Sequence, residues 1–256
     1  MPSDDAANVY VYGVLSGSDA AAVAIGGLEG ADVRAVESGG LAALVSTLGG
    51  DALAAAREVR AHWRVLEEAS KHGPVLPVRF GTVMDSDGAV REGLLEPRAD
   101  ELTELLGALA GRVQLSVKGE YDGEHLLREV VRASPTIAAL RDRVRTLPEN
   151  AGYYERIRLG EVVAAEVARR RERDEALALT RLERPAVASR VEELSSPNAA
   201  FNLAFLVGSE DVDRFSEAVG RLREEFGERV SLRYVGPLPP YSFVDAELGE
   251  GAPAWA

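Results

Sequence analysis

Cysteine is absent from this chain, and with it go disulfides, thiolate zinc sites and cysteine nucleophiles. That absence is compatible with a reducing cytoplasm. Lysine is scarce as well: Lys71 and Lys118 stand alone, and arginine carries almost all the positive charge. Cations are outnumbered, 29 Lys and Arg facing 42 Asp and Glu, for a formal net charge of −13. Such a chain repels phosphate backbones and anionic headgroups, which argues against nucleic acid and membrane as partners. Long hydrophobic runs are missing; the longest, around Ala199–Val207, is far too short to span a bilayer. The opening "MPSDDAANVY" holds two aspartates where a secretory signal would hold positive charge, so the sequence predicts a cytoplasmic protein. His62, His72 and His125 are scattered, with no His-x-x-x-His or Glu-x-x-His pair, so no metal site is expected. Gly-x-Ser-x-Gly and both glycine-rich phosphate motifs are missing, and "YGVLSGSD" lacks the third glycine and the lysine of a phosphate loop. The sequence therefore assigns no catalytic residue, no cofactor and no metal.

What is present is a globular share of apolar residues, 46%, in a chain long enough at 256 residues for two domains. "VYVYGVL", Val9–Leu15, is apolar on both faces and reads as a central strand. Two further strands, near Asp32–Glu37 and Leu41–Ser46, are joined by Ser38-Gly39-Gly40 as a hairpin. From Asp51 the period turns helical, and Val59, Trp63 and Leu66 predict a buried stripe that includes the indole. "PVLPVRFGTVMD" is extended and interrupted by Pro77, hence an edge strand or irregular. Leu102, Leu105, Leu106 and Leu109 mark an amphipathic helix. "RVQLSVKGEYD" then alternates, Val113, Leu115 and Val117 inward, Gln114, Ser116 and Lys118 outward.

Residues 123–184 read as nearly all helical, broken at Ser134-Pro135 and at "LPENAG". The long helix from about Tyr153 should turn Tyr153, Ile157, Ala164 and Val167 inward. Its charge run "ARRRERDEA" reads as a solvated face laced with ion pairs, or as a docking patch. "NAAFNLAFLV" suits a central strand; Ser209 should cap a helix with the stripe Val212, Phe215, Val219, Leu222 and Phe226; "RVSLRYV" follows as a strand. This β-α-β unit needs a crossover and parallel strands. The expected fold is α+β in two domains: 1–122, a ferredoxin-like antiparallel sheet with helices, and 123–244, helix-rich and partly ferredoxin-like. In the latter, helices fill 123–184 and the β-α-β unit 198–236, and a flexible tail is expected over 245–256.

Three stretches bear on function. "MDSDGAVREGLLE" spaces Asp85 and Asp87 like a calcium loop, but Ala89 and Val90 stand where an oxygen ligand and a glycine are needed; it reads as a turn capping the next helix. In "VRFGTV", Arg79, Phe80 and Gly81 either form a pocket for an anion, or pair an arginine with a core-edge carboxylate while Gly81 permits close backbone approach. In "GPLPPYSFV", Gly236 and Pro237 should stop the preceding strand and Pro239 and Pro240 hold the chain extended. Tyr241 and Phe243 then fold back onto an apolar surface or contact a partner.

Taken in order, "YVYGV", "LPVRFGTV", "NAAFNLAFLV" and "GPLPPYSFV" resemble the gas vesicle GvpF/GvpL family over about residues 8–244. Leu238 stands where that family usually has a tryptophan between Gly-Pro and Pro-Pro. The resemblance implies two α+β domains, the first ferredoxin-like, and no known catalytic residues. It implies an accessory, minor gas vesicle component needed for vesicle formation, whose partners are the small hydrophobic major shell protein and other accessory proteins. The alternative from the residues is a small-molecule-binding regulatory or enzymatic module, with Arg79 holding an anion.

Overall fold

A computed structural model of the chain describes residues 8–49, 56–148 and 152–244. Two compact units emerge: residues 8–114 together with 236–244, and residues 115–235. The expected flexible tail, 245–256, lies outside the described residues.

The first unit is organised on β1 (Val9–Ser16), in which seven of eight residues are buried. A strand covered on both sides needs apolar side chains at consecutive positions, which "VYVYGVL" supplies. β2 (Arg34–Ser38) and β3 (Leu41–Thr47) form the expected hairpin, and β3 pairs antiparallel with β1. On the other side of β1 lie two short antiparallel strands, β4 (Leu76–Pro77) and β5 (Val83–Met84). The path runs β2-β3-β1-β4. A four-residue helix, α1 (Gly17–Ala20), is capped by the Ser16 hydroxyl and follows β1. α2 (Ala56–Ser70) then packs so closely on β1 that a Cβ at Gly13 would stand 2.7 Å from Leu66 Cδ2 and 2.9 Å from the Leu76 carbonyl.

Ser86 caps α3 (Asp87–Val90), and both Asp87 oxygens bind Arg34 at 2.6 and 2.7 Å. The stretch weighed as a calcium loop is thus a helix start with its carboxylate already paired. A π turn (Arg91–Leu95) and a 3-10 turn (Glu96–Arg98) lead into α4 (Ala99–Leu109), whose four stripe leucines are all buried.

The second unit has an interior pair of strands, β6 (Arg112–Tyr121) and β8 (Ala199–Gly208), in the order β7-β8-β6-β9. β7 is Ala188–Val191 and β9 is Val230–Leu238. Counted within its unit, each sheet runs second-third-first-fourth, so the two units share one strand order. Between β6 and β7 come α5 (Gly123–Ala133), capped by Asp122, α6 (Pro135–Thr146), capped by Ser134 with Pro135 in its first turn, and α7 (Tyr153–Leu182). α8 (Val212–Phe226) links β8 to β9 and buries Phe215, Val219, Leu222 and Phe226; Val212 is half-buried.

Five expectations change. The division falls near 114, not 122: β6, read as closing the first domain, takes its neighbours β8 and β9 from the second sheet. Strand β9 also runs through Gly236 and the cis-linked Pro237 to Leu238, instead of stopping at them; at a sheet edge a proline's missing N–H is tolerated. On α2 the buried face is Glu58, Ala61, His62, Val65, Leu66 and Ala69, and Trp63 is 40% exposed. On α7 the buried residues are Asp174, Ala178 and Leu182, while Tyr153, Ile157 and Ala164 face outward. Ser209 opens a 3-10 turn and its hydroxyl caps nothing.

The charge run on α7 is laced with ion pairs as the first reading had it. Glu166 meets Arg169, Arg170 and Arg173 at 3.2–3.7 Å, and Arg170 also reaches Glu129 on α5 at 2.9 Å. Deeper in this unit, buried Asp174 accepts from the Tyr121 hydroxyl at 2.7 Å and pairs with Arg229 at 3.1 Å.

Candidate functional site

Two of the motif stretches converge on one place in the first unit, the middle of α2. Its polar-aromatic core starts from β1, where Tyr10 and Tyr12 point their rings at α2 and meet edge to face at 4.8 Å. The Tyr10 hydroxyl accepts from the Gly81 N–H at 3.2 Å and lies 2.8 Å from His62 Nδ1. Which of the two donates in the Tyr10–His62 bond follows the His62 tautomer. The Tyr12 hydroxyl accepts from the Leu28 N–H and shares a hydrogen bond with Ser46 Oγ, both at 2.8 Å. His62 is 1% exposed, and burial pushes its imidazole down to about 4, so it is neutral at physiological pH. Sealed from solvent, it is a hydrogen-bond partner of the Tyr10 hydroxyl within the core.

The Arg79-Phe80-Gly81 stretch is a turn. Thr82 donates its N–H and its hydroxyl to the Arg79 carbonyl at 3.2 and 2.8 Å, and Gly81 sits at φ 95, which a Cβ would disfavour. Phe80 packs 5.6 Å from the His62 ring and 6.1 Å from Tyr10. Arg79 is exposed, and among the described residues its guanidinium makes no ion pair with a carboxylate.

The second motif arrives from the other end of the chain. Pro239 and Pro240 are buried, Pro237 is exposed, and Tyr241–Val244 form a last turn, α9. Tyr241 lays its ring 4.2 Å from Trp63, one residue along α2 from His62. The Ser242 N–H donates to Gln114 Oε1 at 2.9 Å, and Phe243 and Val244 are buried. The Tyr241 hydroxyl is buried without a hydrogen-bond partner, and that burial raises its pKa far above the usual phenol range. All the motif residues thus fall in one unit, with Pro239, Pro240 and Phe243 buried, Phe80 and Tyr241 half-buried, and Arg79, Gly81 and Pro237 at the surface.

A cleft of about 310 Å³ opens by the first turns of α2, lined by Gly27, Glu29, Gly30, Arg57, Glu58 and Arg64 among others. Glu58 fills its floor. One oxygen accepts from the Glu29 N–H at 3.0 Å and the other from Arg57 Nε at 2.5 Å; the backbone donor first, then the guanidinium, holds its carboxyl below the usual range. With both oxygens engaged, Glu58 fixes the Glu29 turn, which has φ 53. Sequence reading missed Glu58, His62, Ser46 and Gln114, because each is a polar residue that internal partners render buriable. Among the described residues no group of three or more His, Cys, Asp or Glu is placed to hold a metal, and no helix is long and apolar enough to cross a membrane.

Fold and site define a mixed α/β protein of two antiparallel sheets whose motif residues brace one sheet and its helix. The chain belongs to the gas vesicle synthesis protein GvpL/GvpF family, whose model matches residues 8–245. It is 37% identical to gas vesicle protein F of Streptomyces sp. (strain CB03234) over 206 residues, 80% of this chain and 84% of that one. It is 26% identical to gas vesicle protein F1 of Halobacterium salinarum over 247 residues, 94% and 95% of the two chains. Among solved structures it resembles GvpF from Anabaena sp. PCC7120, with a TM-score of 0.79 at 27% identity over 93% of this chain and 98% of that one. GvpF from Microcystis aeruginosa gives 0.78 at 26%, over 93% and 99%.

Proposed function

We propose that this protein is an accessory component of gas vesicles that binds the small hydrophobic major shell protein and assists vesicle nucleation and assembly. The observation that carries this reading is the family match along 8–245, shared with relatives named gas vesicle protein F. The role is one of binding, without catalysis: the one imidazole in the motif core is sealed, and Glu58 in the neighbouring cleft has both oxygens engaged. The shared strand order supports reading both units as ferredoxin-like modules. In each sheet one edge, β2 or β7, offers backbone for strand addition by the shell subunit, and the acidic surface keeps the module dissolved while it docks. Arg79, Gly81 and Pro237, exposed, are the motif residues available for contact, while Pro239, Pro240 and Phe243 are buried and Tyr241 packs on Trp63. The protein acts in the cytoplasm at the vesicle, beside other accessory proteins. Co-expression of the tagged full chain with the shell protein under vesicle-forming conditions tests this. The two should co-purify, and reproducible absence of the shell protein from the eluate would overturn the proposal.

A further inference from the structure

The end of the α6–α7 pair reverses the charge of the chain locally. Between positions 141 and 158 stand five arginines against three carboxylates, Glu149 included, in a protein of net charge −13. A Cβ at Gly152 would lie 3.4 Å from the Leu147 Cβ, so the last turn of α6 and the first turns of α7 share one end of the pair. There Tyr153 is 62% and Tyr154 81% exposed, their rings edge to face at 5.5 Å, and Ile157 is 44% exposed one turn on. On the same two helix ends Arg143, Arg145 and Arg158 are exposed and make no ion pair among the described residues; Asp142 is already held by Arg141 at 2.6 Å. Tyrosine and arginine are the side chains enriched at the centres of protein interfaces, and a contiguous exposed apolar patch marks a contact.

We infer that this end docks an acidic amphipathic segment of a partner protein. The partner's apolar side covers Tyr153, Tyr154 and Ile157, and its carboxylates face Arg143, Arg145 and Arg158. Charge decides among polyanions. A short protein segment meets only the local field, which extends about a Debye length of 8–10 Å. A nucleic acid strand or an anionic membrane meets the rest of the molecule as well, and is repelled by it. This goes beyond the shell-binding role and does not assume the shell subunit is the partner.

The test uses the full chain and a labelled synthetic helix of about 18 residues, five turns, with leucines at i, i+3, i+4 and i+7 spacing and glutamates on both flanks. Its lysine-flanked counterpart, anionic vesicles and a single-stranded oligonucleotide serve as alternatives, all read by fluorescence anisotropy or co-sedimentation. The glutamate peptide should bind at least about tenfold more tightly than the lysine peptide. Arg143→Glu, Arg145→Glu and Arg158→Glu together should weaken it about tenfold or more, as should Tyr153→Ser with Tyr154→Ser, with melting temperatures unchanged. If the charge reversal lowers the melting temperature, the glutamine triple variant takes its place. Equal binding of the two peptides, indifference to the variants, preference for vesicles or oligonucleotide, or no binding at all would each overturn the inference. Co-purification with the shell protein is scored separately, so the two proposals can fail independently.

Discussion

His62 ties the stability of the first unit to pH. Its folded value of about 4 lies below the ordinary 6.5, so between those values the unfolded chain binds more protons than the folded one. The stabilisation is complete above pH 6.5 and is lost as pH falls through 4, amounting to about 3 kcal/mol. The hydroxyls facing the ring, Tyr10 and Tyr12, stay protonated throughout because burial raises both. Urea titrations at pH 7 and pH 4.5 should show a smaller stability difference for His62→Gln, which keeps an acceptor for Tyr10 but does not titrate; equal differences would remove His62 from the account. Gly81 makes a second residue-scale case. At φ 95 an alanine is strained whatever the space, and Gly81→Ala should lower stability by about 1 kcal/mol or more, read from the denaturation midpoint. Gly81 stands out in the chain within its motif, and His62 does not. A buried histidine is legible only through the tyrosine 52 positions away that satisfies it.

At the scale of elements, the C-terminal turn α9 acts as a clasp on α2. Tyr241 contributes its ring against Trp63, while its hydroxyl is buried with no partner. Removing the hydroxyl therefore relieves a desolvated group, and removing the ring opens a cavity. Tyr241→Phe should leave thermal stability equal or raised, whereas Tyr241→Ala should lose about 3–5 kcal/mol; a destabilised Phe variant would show that the hydroxyl has a partner after all. In the second unit, Asp174→Asn should lower stability by about 1–3 kcal/mol, since it takes from Arg229 and Tyr121 the carboxylate they share. Elements with one dominant pattern were legible in the sequence: β1 and β8 from unbroken apolar runs, the β2–β3 hairpin from its two glycines, α4 from its leucines. The phase of α2 was not, because its true face alternates apolar residues with Glu58 and His62, and a polar residue counts against burial until its partner is known. α7 failed for a related reason. Tyr153, Ile157 and Ala164 have the spacing of an inner face, but periodicity shows only that a face is apolar, and here nothing among the described residues covers it. The turn at Arg79–Thr82 was not legible inside a stretch that reads as extended, and neither was the convergence of the two motifs on α2, since it joins positions more than 150 residues apart.

At the scale of the molecule, the first unit is discontinuous, built from 8–114 and closed by 236–244 after the second unit has been inserted between them. A chain cut after Val235 would keep every strand of the first sheet and most of the second, but would lose Pro239, Pro240, Phe243 and Val244, all buried, and the Ser242 hydrogen bond to Gln114. The two units should answer differently. Hydrogen exchange by mass spectrometry should show protection lost first in β1 and α2, whose exposed Trp63 and half-buried core edge the clasp covers, while β8 and α8 keep theirs. The aromatic core around β8 is built within 115–235: Phe201 packs 5.8 Å from Phe226 and Phe205 5.1 Å from Phe215. If protection fell equally in β1 and β8, the division into two units would not describe how the chain opens. If β1 kept its protection, the C-terminal motif would be free of a bracing role, and its prolines and aromatics would have to be read as contact residues for a partner instead.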